Sequence, residues 1–261
     1  MQYDPLNFAY MFRKILFILL GSILLVFQNI SAKADFFTMA YYEEPDIYVY
    51  SPVNIDEDSV YPVLYLIHGR WQQPTVWEEM GLLDVLNSLY ETGEIIPFFV
   101  VLPHDVAYME DIYESKFHDE FLLNVMPFVE ENFPIDPSPD NTAIGGISRG
   151  AQWAQYFAFE HYGRFGNVGV HSPANAFFSL PKIYGIIRDH PDIPNLRIRI
   201  DIGNQDNAIR IGSEFSEQLL DLFYPHELVI GDGGHDVQYW TRYLPDYLKW
   251  YSDGFRIKTK L

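Results

Sequence analysis

The residues of this chain best suited to covalent chemistry are Gly146-Ile147-Ser148-Arg149-Gly150, because of what flanks them. The apolar run over 142–145 reads as a buried strand. The segment 151–158 places Ala151, Ala154, Phe157 and Ala158 at helical spacing. A serine on a sharp turn between strand and helix is held in a strained backbone conformation with its hydroxyl exposed, as a nucleophile elbow requires. Glycines on either side are a steric need, since side chains there would strike the adjoining strand and helix.

A serine hydroxyl is a weak nucleophile unless a base removes its proton. In an open parallel sheet such groups collect on loops beyond the carboxyl ends of the strands. Two later strands, 196–202 and 227–230, deliver Gly203-Asn204-Gln205-Asp206 and Gly231-Asp232-Gly233-Gly234-His235. Ser148, Asp206 and His235 follow the Ser, Asp, His order of the α/β-hydrolase triad. His235 is expected to take the serine proton and pass it to the leaving alkoxide, with Asp206 holding the imidazole in the right tautomer. Asp201 is the rival acid, five residues earlier. It falls inside the strand, where it is expected to be fixed and paired with a nearby arginine; Asp232 is a third choice. Oxyanion donors are expected from two backbone N–H groups. One is Arg149, directly after the nucleophile; the other is Arg70, in the loop His68-Gly69-Arg70-Trp71 after strand 61–67. His68 is expected to orient that loop.

The elements that must position these groups alternate. Strands are expected over 46–50, 61–67, 98–102, 142–145, 167–171, 196–202 and 227–230. Helices are expected over 76–90, 120–133, after Ser148, and over 181–188, 208–223 and 237–250. Nearly continuous apolar strands between helices indicate a mostly parallel sheet covered on both faces. The fold class is therefore α/β, an α/β-hydrolase arrangement with no large lid. No His-Glu-x-x-His, phosphate-cradling glycine loop or dinucleotide fingerprint accompanies the site, so the expected chemistry uses no metal and no cofactor.

At the N-terminus, Arg13 and Lys14 precede thirteen residues, Ile15 to Phe27, that are apolar apart from Gly21 and Ser22. Ala32-Lys33-Ala34 follows. This is the order of a secretory signal, with cleavage after Ala34 and a hydrolase domain over 35–261. The apolar run is short against the roughly 20 residues of a membrane span; an uncleaved anchor is the alternative, and any membrane contact is expected only through this segment. Met11 is a second candidate start. The chain has no cysteine, so neither a diacylated anchor nor a disulfide is available, and stability rests on the core. The formal charge is −19. Loss of Asp4, Arg13, Lys14 and Lys33 with the leader would take it to about −21. Such a surface repels nucleic acid, anionic membranes and polyanionic substrates. Nineteen tyrosines and twenty phenylalanines are first of all core material, with some available to line a cleft.

The segments 61–69 with Trp77 downstream, 145–150, 168–173, 201–206 and 233–240 resemble the esterase D / putative esterase family of α/β-hydrolases. That family includes feruloyl and acetyl-xylan esterases, enterochelin esterases, S-formylglutathione hydrolases and mycolyltransferases. The resemblance spans about 45–250 and implies the same triad, Ser148, Asp206 and His235, with the loop after Gly69 and Arg149 forming the oxyanion hole. The chain departs from many relatives in carrying Arg149 where Met is frequent, and Gly69-Arg70-Trp71-Gln72 in place of a glycine-rich loop. Anionic enterochelin complexes and acyl-CoA suit a chain of this charge poorly, and S-formylglutathione hydrolysis conflicts with an export signal. The resemblance therefore implies an exported serine esterase acting on carboxylic esters, among them small-molecule or glycan-linked acyl groups. An acyltransferase onto an extracellular glycan, and a non-catalytic binding module, are the alternatives.

N-terminal sequencing of exported protein is expected to begin at Asp35; a mature chain that keeps Ile15–Phe27 and stays with the membrane fraction would mark an anchor instead.

Overall fold

The computed structural model describes residues 35–53, 55–56, 58–174, 180–190 and 196–256; the expected leader, 1–34, lies outside the described residues. Eight strands form one sheet: β1 (Phe37–Tyr42), β2 (Ile47–Pro52), β3 (Val63–Ile67), β4 (Phe99–Pro103), β5 (Thr142–Ile147), β6 (Asn167–His171), β7 (Arg197–Gly203) and β8 (Glu227–Gly231). Their spatial order is β1-β2-β4-β3-β5-β6-β7-β8. The β1–β2 and β2–β4 pairs are antiparallel, and every pairing from β4 onward is parallel. The α/β-hydrolase expectation holds.

Helices cover both faces because the strands are apolar on both. Along β3, Val63, Tyr65 and Ile67 point into one core cluster while Leu64 and Leu66 point into the other. The first cluster is closed by α3, a helical run over 117–132, by α4 (Arg149–Glu160) and by α6 (Ile209–Asp221), through Phe121, Trp153, Phe157 and Phe215. The second is closed by α1 (Val76–Glu79), α2 (Leu82–Glu91) and α7 (Val237–Gly254), through Trp77, Leu86, Tyr247 and Tyr251. A further helix, α5, spans Leu180–Asp189. Tyr251 shows how tight this packing is. Its hydroxyl fills the space a Cβ would need at both Gly145 and Gly169, so two strand glycines admit the ring between sheet and helix.

Several boundaries differ from expectation for local reasons. The helix expected over 76–90 is two helices, broken where Gly81 takes a left-handed φ of 82°. The helix expected over 120–133 begins at Phe117 and passes through a π segment, Glu120–Val125. β1 was not foreseen. It is an edge strand in which only Phe37 is buried, so it carries no alternating signature.

Beneath the carboxyl half of the sheet lies a buried polar group. Asp201 Oδ1 accepts hydrogen bonds from the Tyr239 hydroxyl at 2.9 Å and the Tyr247 hydroxyl at 2.6 Å, while Oδ2 faces Arg199 Nη2 at 3.6 Å. His171 Nε2 meets the Tyr251 hydroxyl at 3.0 Å, and its ring stacks on Tyr247. Burial holds the fully enclosed His171 imidazole well below the ordinary histidine pKa, and burial likewise lowers His68, at the end of β3, to about 4.

These histidines are neutral in the folded chain, while the unfolded chain takes up protons near pH 6.5. Their contribution is therefore complete above about pH 6.5 and is lost as pH falls below it, at up to about 1.4 kcal/mol per pH unit for each group. Asp201, whose carboxyl is raised by burial, acts in the opposite direction. The His171 contribution is thus read by difference: urea unfolding of His171→Gln is expected to lose less stability between pH 6.5 and 4.5 than the parent chain.

Candidate active site

The elbow is built by crowding. β5 ends at Ile147, α4 begins at Arg149, and Ser148 between them has φ 54° and ψ −112°. A Cβ at Gly146 would lie 2.5 Å from the Ile67 carbonyl oxygen, and one at Gly150 would overlap the same carbonyl. Both flanking glycines are therefore fixed by the neighbouring strand β3, and the serine is pushed out of the sheet. Strain of this kind costs about 1–3 kcal/mol and persists only where the surroundings enforce it.

The two other expected residues meet the serine. His235 Nε2 is 3.0 Å from Ser148 Oγ, and His235 Nδ1 is 3.0 and 2.9 Å from the two carboxylate oxygens of Asp206. The loop after β8 brings His235, and Asp236 then caps α7 by accepting from the Tyr239 N–H at 2.8 Å. Asp206 follows β7 and also accepts from the Ala208 N–H at 2.7 Å. Burial pushes the Asp206 carboxyl pKa up, but hydrogen bonds from His235, Ala208 and the Ser172 hydroxyl outweigh it and hold the group below the usual carboxylate value. Asp206 is thus a buried, ionised acceptor aimed at the imidazole. Asp201 is engaged instead by the hydroxyls of Tyr239 and Tyr247, while His235 Nδ1 meets Asp206.

Sequence reasoning missed Ser172. It sits just past β6 with φ 50°, is fully buried, donates to Asp206 and accepts from Trp240 Nε1 at 3.1 Å. The Trp240 ring in turn stands edge-on to His235, with centroids 5.2 Å apart. Its place beyond a central strand, on the same edge as the other loops, was the signal available.

Ser148 and His235 open into a cleft of about 400 Å³ lined also by Gly69, Arg70, Trp71, Arg149 and Trp240. Arg149 and Arg70, whose backbone N–H groups are the expected oxyanion donors, both line this cleft. Arg149 is the first residue of α4, where backbone N–H groups lack intrahelical acceptors and the helix dipole favours negative charge. Its side chain is a surprise: the guanidinium is buried and paired with Asp105 at 2.7 Å. The loop after β3 turns with Gly69 O accepting from the Gln72 N–H at 3.3 Å, and Trp71 takes a φ of 68°. That is a position glycine ordinarily fills. Trp71 is nonetheless 68% exposed and lies 5.3 Å from the Tyr108 ring, forming an aromatic lip on the cleft.

The sequence profile of the family described as "Putative esterase" matches residues 39–251. The chain belongs to that family. It is 22% identical over 240 residues to the acetyl esterase of Caldicellulosiruptor saccharolyticus, covering 76% of this chain and 86% of that protein. It is 26% identical over 130 residues to the endo-1,4-beta-xylanase/feruloyl esterase of Xylanibacter ruminicola, covering 47% of this chain but only 18% of that longer protein. Among solved structures, a ferulic acid esterase superposes with a TM-score of 0.72 at 21% identity, covering 84% of this chain and 98% of that one. The structural likeness carries the fold, and the family carries hydrolysis of carboxylic esters.

The two acids are separable by experiment. Asp206→Asn is expected to lower kcat by about 10⁴, through the wrong imidazole tautomer. Asp201→Asn is expected to leave kcat within a few-fold and to cost about 1–3 kcal/mol in urea unfolding, because two buried tyrosine hydroxyls lose a charged acceptor.

Proposed function

We propose that the chain is an exported serine esterase that removes acyl groups from carbohydrate-linked esters through an acyl-enzyme on Ser148. The observation that carries this reading is the unbroken hydrogen-bonded line from Ser148 Oγ through His235 to Asp206, opening into the cleft. The Ser148 Oγ attacks the ester carbonyl while His235 Nε2 takes its proton, and the imidazolium then protonates the departing alkoxide. A water molecule repeats the sequence on the acyl-enzyme, with His235 again as base, and frees Ser148 and a carboxylic acid. Asp206 stabilises the imidazolium and keeps the Nδ1 proton in place. The backbone N–H groups of Arg149 and Arg70 receive the negative charge that develops on the carbonyl oxygen in both halves of the reaction.

Substrate preference is supported by three features. The Trp71–Tyr108 lip offers flat apolar surface of the kind that packs on sugar or aryl rings. The formal charge disfavours polyanionic substrates. The matched relatives include an acetyl esterase and a protein named for feruloyl ester hydrolysis. Export rests on the charged, apolar and small-residue order of residues 13–34.

An organophosphonate is expected to label Ser148 stoichiometrically and abolish hydrolysis, Ser148→Ala to lose labelling while keeping its fold, and excess EDTA to change nothing. Acetylated and feruloylated xylan oligosaccharides are expected to be turned over faster than the matching methyl esters. Labelling at another serine would overturn the triad assignment; acyl transfer to an added oligosaccharide in preference to water would make the enzyme a transferase.

A further inference from the structure

Asp105 has no part in the triad, yet it is 1% exposed and lies just past β4, on the sheet edge that carries Ser148, Asp206 and His235. Its Oδ2 accepts from Arg149 Nε at 2.7 Å and from Trp153 Nε1 at 2.8 Å, and its Oδ1 accepts from the Ala107 N–H at 3.1 Å. Arg149 also donates to the carbonyls of Glu110 at 2.9 Å and Ala107 at 3.3 Å, which closes the loop around the pair. The backbone N–H of Asp105 points the other way, to His68 Nε2 at 3.0 Å. A backbone N–H can only donate, so Nε2 is the acceptor and the ring proton is on Nδ1. Nδ1 lies 2.8 Å from the carbonyl oxygen of Gly69 and donates to it. That carbonyl and the Arg70 N–H belong to one planar trans peptide, so holding the oxygen aims the N–H.

One buried residue therefore reaches both sides of the oxyanion hole. Its carboxylate grips the side chain of the residue that supplies one donor. Its N–H, through a neutral His68, sets the plane of the peptide that supplies the other. We propose that Asp105 is a positioning residue for the oxyanion hole, tying Arg149 and the Gly69–Arg70 peptide into one frame; this rests on the hydrolytic reading given above. The physical need is preorganisation. Backbone donors stabilise an oxyanion only if they already point at the place where the charge forms, and displacement by about 1 Å forfeits much of the benefit. A carboxylate suits the task because three donors converge on it, and the guanidinium beside it would otherwise be a buried, unpaired charge.

A purely structural ion pair would lower stability without distinguishing ground state from transition state, and the test is built on that difference. Three quantities are measured: steady-state hydrolysis of p-nitrophenyl acetate, inhibition by an aryl trifluoromethyl ketone, and inhibition by the matching methyl ketone. The trifluoromethyl ketone adds Ser148 and presents an oxyanion; the methyl ketone is bound without doing so. In Asp105→Asn, kcat is expected to fall about ten- to a hundredfold with KM within threefold. Affinity for the trifluoromethyl ketone should fall by a similar factor, and that for the methyl ketone should not change. Trp153→Phe, which removes a donor to the same carboxylate while keeping an aromatic ring against the Arg149 guanidinium, should keep kcat within threefold. His68→Asn should reproduce the selective loss of trifluoromethyl ketone affinity, and it carries the test alone if Asp105→Asn does not fold. The proposal is overturned if a folded Asp105→Asn, or in its absence His68→Asn, retains trifluoromethyl ketone affinity or loses both ketones equally. An unmutated enzyme inert toward every ester would instead overturn the hydrolytic reading.

Discussion

The close approach of α4 to the end of β3 is the constraint on which the rest of the site depends. The Ile67 carbonyl leaves no room for a side chain at Gly146 or Gly150, and Ser148 between them is driven to φ 54°. That one steric fact does three things. It lifts the hydroxyl clear of the sheet, starts a helix at a residue that lines the cleft, and brings the loop after β3 against the nucleophile. A Cβ on Gly69 would lie 3.4 Å from the Ser148 Cβ and 2.6 Å from Gln72 Oε1, so the loop after β3 and the elbow are packed as one unit.

Around this point each parallel strand contributes one residue beyond its carboxyl end. β3 supplies His68, β4 Asp105, β5 Ser148, β6 Ser172, β7 Asp206 and β8 His235. The hydrogen bonds join them into two chains. One runs from Ser148 through His235 and Asp206 to Ser172 and Trp240. The other runs from Arg149 through Asp105 and His68 to Gly69. A buried polar network of this kind is stable only when nearly every member is satisfied. Positive φ at Ser148, Ser172 and Trp71 marks where the backbone is bent to meet that requirement.

The exterior divides differently. The cleft is lined by two tryptophans, Trp71 and Trp240, with Tyr108 packed against Trp71, on a chain with a large excess of acidic residues. Apolar contact is available at the mouth, while the net charge of the whole chain disfavours polyanions.

The alternation of apolar strands with helical spacing was enough to determine an α/β fold, because period and burial are written locally in each element. The elbow, Asp206 and His235 were legible for the same reason: glycine spacing and the position after a strand are local signals. Other features were decided only by tertiary structure. β1 carries no alternation because only Phe37 is buried in it. The break at Gly81 depends on a left-handed residue that helix 76–90 did not announce. Asp105 and Ser172 look like ordinary loop residues until Arg149, His68, Asp206 and Trp240 converge on them from distant parts of the chain. A side chain's neighbours across a sheet are set by strand order, and strand order is a property of the whole fold. The sequence therefore determined which residues could react, and the tertiary structure decided which others hold them in place.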